Sequence, residues 1–134
     1  MEYPTLDAHG HLAPKCSSKD LESSGAVLAM TLSLGEAVQV LGHQEPNIAW
    51  GTGCYPRIPK SQETFDIKRF SDLVTKTAIV GEIGLDTGSR VPLELQLKNF
   101  RQMLEVIAKL PCLVSIHSYR ATEVVMKELG KKLN

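Results

Sequence analysis

The segment Ile79-Val80-Gly81-Glu82-Ile83-Gly84-Leu85-Asp86 sets a carboxylate inside an apolar run of strand length. A short continuous apolar run of this kind reads as a strand covered on both faces, as in a parallel sheet. A lone carboxylate there carries a desolvation penalty unless something pairs with it. The same holds for Leu113-Val114-Ser115-Ile116-His117-Ser118, whose apolar run ends on an imidazole. At the other end of the chain, residues 1–6 read as a short strand followed by Asp7-Ala8-His9-Gly10-His11-Leu12. Residues i and i+2 of extended backbone share a face about 6–7 Å apart at Cα, so His9 and His11 can close on one cation at about 2.0–2.1 Å each. Gly10 adds no bulk between them, and Asp7 lies near enough to orient an imidazole as an outer acceptor. His-x-His alone is a weak signal, met equally in two ordinary histidines at a strand end. Three strand ends that each offer a metal-type ligand point to one shared site at the carboxyl edge of a sheet. That is the site logic of a (β/α) barrel.

Between these segments strand and helix alternate. A polar loop and a short helix around 18–23 follow His11, and Gly25–Leu32 is a continuous apolar strand. Ser33-Leu34-Gly35-Glu36 has the capping-box form and opens a helix through about Leu41. Asn47–Gly53 is a third strand, and the polar stretch Arg57–Thr64 reads as a loop. It leads to a helix with Ile67, Phe70, Leu73 and Val74 on one face, and Thr77–Ile83 is the fourth strand, delivering Glu82. The longest helix runs from Pro92 to about Leu110, with Leu93, Leu97, Phe100, Leu104 and Ile107 at spacings of three and four. Cys112–Ile116 is the fifth strand, ending at His117, and Ala121–Leu129 is the last helix, with Gly130 as its stop. Five successive βα units imply a parallel sheet with right-handed crossovers. A closed (β/α)₈ barrel takes eight units and typically about 250 residues, so five units are either an open five-stranded α/β domain or the first part of a barrel.

Composition narrows the function classes. The 134 residues form one domain's worth of chain, 43% hydrophobic and 22% charged, with net charge zero. No global basic field attracts nucleic acid, which would have to be held by a local cluster or by metal. No apolar stretch approaches the roughly 18–20 residues of a membrane span, and no signal-peptide layout opens the chain. Cys16, Cys54 and Cys112 are odd in number and far apart, which argues against disulfides and a thiolate zinc site and favours the cytoplasm.

Taken together, these motifs resemble the TatD-like metal-dependent hydrolases, (β/α) barrels that are mostly DNases. Asp7-Ala8-His9-Gly10-His11-Leu12 resembles the family's opening D-x-H-x-H-L, Gly81–Asp86 its fourth-strand G-E-I-G-L-D, and Ile116-His117-Ser118 its fifth-strand I-H-S. Residues 1–134 would then be a single domain, the N-terminal part of a TIM-type barrel with about five of its eight units. The resemblance implies that His9 and His11 bind one divalent cation, that Glu82 bridges two, and that His117 binds the second. It implies phosphodiester hydrolysis of DNA, at single strands or ends, with zinc, magnesium or manganese as the cations.

The departures are specific. The family takes a further His from strand six and an Asp, ligand and base, from strand eight; neither strand is among these residues, and the remaining histidine, His43, lies at a helix end. Where the family has G-x-H-P after strand three, this chain has Gly53-Cys54-Tyr55-Pro56; where it has Ser-Arg after the histidine, Tyr119 precedes Arg120. This drift resembles the TatD component of the Qat anti-phage systems. Lys15, Arg57, Arg90 and Arg120 all follow strands, placing them on the metal-bearing rim. Of these Arg120 is the strongest phosphate contact, against the bland reading of solvated loop charges, and Tyr55 can also hydrogen-bond a phosphate. Trp50 reads as core, Cys54 as an inert buried thiol, His43 as a surface residue and Asp86 as a loop cap. The alternative to an enzyme is a catalytically incompetent half-barrel acting as a binding or structural subunit. A part-barrel leaves strand edges unpaired, so self-association is expected.

Overall fold

The computed structural model describes residues 5–132. Five parallel strands lie side by side in chain order: β1 (Leu6–Gly10), β2 (Ala26–Ala29), β3 (Ile48–Thr52), β4 (Ile79–Asp86) and β5 (Val114–Tyr119). The helices between and after them are α1 (Ser18–Glu22), α2 (Leu34–Val40), α3 (Pro59–Glu63), α4 (Ile67–Leu73), α5 (Leu93–Ile107) and α6 (Thr122–Lys132). Sequential parallel order with a helix at every crossover is the architecture of a (β/α) barrel, here an incomplete one of five units. The sheet curls far enough that His9 on β1 meets Ser115 on β5, at 2.7 Å.

Local chemistry explains the elements. Ser33 caps α2 by accepting the Glu36 N–H, and Glu36 reaches back to accept the Leu32 N–H at 2.7 Å. The S-x-x-E spacing predicts this two-way pairing, with the return bond on Ser33 itself; here it falls one residue earlier, on Leu32. Asp66 caps α4 in the same way through the Arg69 N–H. The core lies between sheet and helices. Ile83 and Leu85 point outward from β4 onto Phe70, Phe100 and Met103, all fully buried. A smaller cluster joins Leu21, Val27, Ala29, Val40, Ile48 and Trp50, with Leu12 and Cys16 laid against it.

Several boundaries differ from the sequence reading. The first strand covers Leu6–Gly10 rather than residues 1–6, of which 1–4 lie outside the described residues, because Leu6 and Asp7 register with Ala26 and Val27. β4 and β5 both run beyond their expected ends, since each continues to pair with the other from Ile83↔Ile116 to Asp86↔Tyr119. Glu82 and His117 therefore sit within strands, not at their ends. The expected loop 57–64 contains α3, started by Pro59 in its first turn and anchored by buried Gln62. Gly130 does not stop α6, which continues to Lys132 while Lys131 pairs with Glu128 and Lys132 with Glu105, each at 3.2 Å.

Two glycines are required by close approach. Gly84 pairs with His117 at φ +148°, and a Cβ there would fall 1.9 Å from the His117 carbonyl oxygen. At Gly53 a Cβ would come within 1.8 Å of the Thr31 carbonyl oxygen and 2.6 Å of the Glu82 nitrogen. Both let backbone press against the segment that carries Glu82.

Candidate metal centre

Glu82 is fixed by its backbone before its side chain does anything. Its N–H donates to the Thr31 carbonyl at 3.0 Å, and its carbonyl accepts the Cys54 N–H at 2.9 Å. Thr31 is fully buried and tied in turn, its hydroxyl donating to Gly51 O and accepting the Gly53 N–H. The segments that follow β2 and β3 thus clamp β4 where the register between Val80 and Ile83 slips. Such an irregularity turns a side chain out of its regular alternation.

The Glu82 side chain is nearly buried, and its two oxygens face different imidazoles. Oε1 lies 3.2 Å from His9 Nε2 and 3.1 Å from His11 Nε2, while Oε2 lies 2.8 Å from His117 Nδ1. The His9 and His11 rings are not splayed; their centroids are 5.1 Å apart at an interplanar angle of 76°. One ligand atom from each of His9, His11 and Glu82 lies within 4.8 Å of the others, a group that could hold a metal ion. Two neutral imidazole nitrogens and a carboxylate oxygen suit zinc and also tolerate manganese or magnesium. His117 stands outside that trio, on the far oxygen of the same carboxylate.

Outer contacts orient the rings. His9 Nδ1 meets the Ser115 hydroxyl at 2.7 Å, which leaves Nε2 for Glu82. The expected role of Asp7 as imidazole acceptor is corrected here: its carboxylate accepts the His9 backbone N–H at 3.0 Å instead. Two residues back, a short carboxylate reaches backbone more readily than a ring aimed into the site. His117 Nε2 faces Asp86 Oδ2 at 2.8 Å, and Asp86 is fully buried. Asp86 also caps the loop, accepting the Gly88 N–H at 2.8 Å, and Gln96 brackets its backbone from α5. Its side chain therefore does both jobs, and the histidine contact was missed because it depends on strand register and not on sequence spacing. Thr31 and Ser115 were missed for the same reason. Ser115 has a signal in hindsight, standing two residues before His117 on the same strand face.

The remaining expected residues sit on the rim. The Tyr55 ring packs edge-on against His117 with centroids 5.1 Å apart. Burial holds its phenol above the usual tyrosine range, with the Glu82 and Asp86 charges adding and Arg57 opposing. Tyr55 is therefore a neutral donor. Arg120 lies over the Tyr119 ring. Lys15 and Arg90 are exposed. Cys54 is fully buried and its thiol pushed up to about 12 by burial, so it is inert. Trp50 is core. His43 is not a surface residue: it is half-buried, stacked on Trp50 at 5.3 Å, with Nε2 accepted by the Pro14 carbonyl at 2.6 Å. Among the described residues no helix is long and apolar enough to cross a membrane.

Comparison with known proteins agrees with this fold. No curated protein matches the chain. The crystal structure of YJJV, a TatD homolog from Escherichia coli K-12, superposes with a TM-score of 0.75 at 21% identity over 95% of this chain. The chain spans 55% of that structure's length, and the likeness is one of fold. The family profile described as TatD related DNase matches residues 6–133. The chain belongs to the TatD related DNase family.

Proposed function

We propose that this chain supplies the cation-binding part of a divalent-metal-dependent phosphodiester hydrolase acting on DNA. The observation that carries it is the division of one carboxylate. Glu82 turns Oε1 to His9 and His11 and Oε2 to His117, which suits a bridging ligand between two cations. His9 and His11 would hold one cation, His117 the second, and Glu82 both. The chemistry such a pair supplies is polarisation of a phosphoryl oxygen and activation of water for attack at phosphorus. The protein's own part is orientation: Ser115 and Asp86 fix the two imidazoles, and the clamp of Thr31 and Cys54 fixes the carboxylate. Tyr55 and Arg120 are the proposed phosphate contacts, one as a neutral hydroxyl donor and one as a charged fork. Within the family we further place the chain with the anti-phage Qat type, working in the cytoplasm.

The test is hydrolysis of bis(p-nitrophenyl) phosphate and of DNA after stripping with chelator and adding back zinc, manganese or magnesium. The expected result is activity that returns with cation and disappears in Glu82→Ala. Hydrolysis that survives chelation or this substitution contradicts the reading. Loss of phage protection in the same variant would support the defence role.

A second reading is favoured by one surface. β5 pairs with one neighbour among the described residues, and beside it Leu104, Ile107, Leu110, Leu113, Val114 and Ile116 line an apolar groove of about 350 Å³. Leu113 is 59% exposed. An unpaired edge beside apolar surface favours self-association, as a binding subunit would need. Light scattering on the 134-residue chain should find dimers or larger species; a monodisperse, cooperatively melting monomer would exclude this reading.

A further inference from the structure

Tyr119 closes β5 two residues beyond His117, opposite Asp86 in register, and its side chain is 42% exposed. Two guanidiniums from different parts of the chain lie on its ring. Arg57, from the loop after β3, has Cζ 6.0 Å from the centroid, and Arg120, directly after β5, has Cζ at 5.2 Å. The ring lies close against Gly88, where a Cβ would fall 3.0 Å from Tyr119 Cε1. The backbone is held too. Thr87 donates its N–H to the Tyr119 carbonyl at 3.2 Å and its hydroxyl to the Arg120 carbonyl at 3.1 Å. Arg120 sits at φ +48°, a left-handed conformation rarely taken by a side-chain-bearing residue unless its surroundings impose it.

The charges on this ring are poorly neutralised. Among the described residues the Arg120 guanidinium has no carboxylate partner and no hydrogen bond, only the ring. Arg57 has Asp86 Oδ2 at 3.8 Å, but that oxygen already faces His117 Nε2 at 2.8 Å. A chain of zero net charge thus gathers two guanidinium forks, one unpaired and one loosely paired, beside the candidate metal centre. Guanidinium forks match phosphate oxygens in pairs, and unpaired bases stack on aromatic rings and on guanidinium planes alike. A duplex would turn its bases away from such a ring.

We propose that Arg57, Tyr119 and Arg120 form a seat for the phosphate and base next to the phosphodiester at the metal centre. Such a seat grips the neighbouring unpaired nucleotide, which a mononucleotide or small ester does not have. Tyr119 holds the two arginines side by side and presents its remaining exposed surface to the base. This rests on reading the neighbouring centre as phosphodiester-hydrolysing.

The experiment is fluorescence anisotropy of a labelled single-stranded 12-mer in EDTA across a salt series, beside zinc titration of each variant. Arg57→Ala and Arg120→Ala should each weaken binding about tenfold and shallow the slope of log affinity on log salt by about 0.7. Tyr119→Phe should keep wild-type affinity, and Tyr119→Leu should lose about as much as either arginine variant. Zinc affinity should be unchanged in all four, which also reports that they fold. Glu82→Ala should lose zinc yet still bind the 12-mer, so that failure of the centre and failure of the seat are told apart. Wild-type affinity and slope in the Arg57→Ala/Arg120→Ala double variant would overturn the proposal, as would equal binding of a duplex or equal competition by a mononucleotide.

Discussion

The two strands that bring donors to the centre could hardly differ more in their surroundings. β4 is buried along all eight residues, whereas β1 is exposed at four of its five. Glu82 lies in the first and His9 in the second, with His11 just beyond it. On β4 the carboxylate is set by backbone clamps and by a core of fully buried Phe70, Phe100 and Met103 behind the strand. On β1 the imidazoles rely on pairing with β2, the Asp7 side chain and the reach to Ser115. The lesson is a division of labour. One side of the centre is preorganised by folding, and the other is drawn in by contacts that a cation would reinforce.

The sharpest way to break this contrast is by truncation. Phe100→Ala, behind β4, should cost about 3–5 kcal/mol in urea unfolding, as for other buried phenylalanines. Leu6→Ala on β1, where the side chain is 58% exposed, should stay within about 0.5 kcal/mol. Equal costs would mean that β1 is as tightly packed as β4. A smaller effect is expected at Ser115→Ala. Loss of the contact that orients His9 should weaken zinc binding by about tenfold, in line with other outer-shell partners, while the urea midpoint hardly moves.

The contrast also has a pH signature on the packed side. Arg101 on α5 makes a two-pronged pair with Glu128 on α6, at 3.0 and 2.9 Å, and this pairing holds the Glu128 carboxyl down at about 2. A carboxyl whose folded value lies below its unfolded one contributes stability above the unfolded value, and that contribution is lost as pH falls through the folded one. Between pH 4.5 and about 2 the native chain should therefore lose stability, and Glu128→Gln should flatten that part of the profile. The arginine is half exposed, so solvent screening keeps the effect modest. The smallest effect is chemical: half-buried Cys16, laid against the smaller core cluster, should alkylate in the native state while Cys54 does not.

What was legible in the sequence follows the same contrast. Local signals carried through: the i, i+2 histidines, the capping box at Ser33, the Leu/Phe stripe of α5 and the βα alternation all depend on neighbours within a few residues. The partners of those residues were not legible. Ser115 stands 106 residues from His9, and Asp86 31 residues from His117. Each meets its histidine only because sheet curvature and register bring them together. Strand ends failed for a related reason, since β4 and β5 extend one another beyond the reach of β3. The short helix α3 escaped because five residues carry little propensity signal, its stability coming from Gln62 bonded to Cys54, Tyr55 and Asn99.

The most direct measurement is isothermal titration of zinc into the 134-residue chain, with Glu82→Gln and the His9→Ala/His11→Ala double variant alongside. If the three donors act as one centre, the wild type binds tightly, and each variant loses affinity by about a hundredfold or more, the amide as severely as the missing imidazoles. Wild-type affinity in Glu82→Gln would contradict this, because the carboxylate would then be a bystander to the metal.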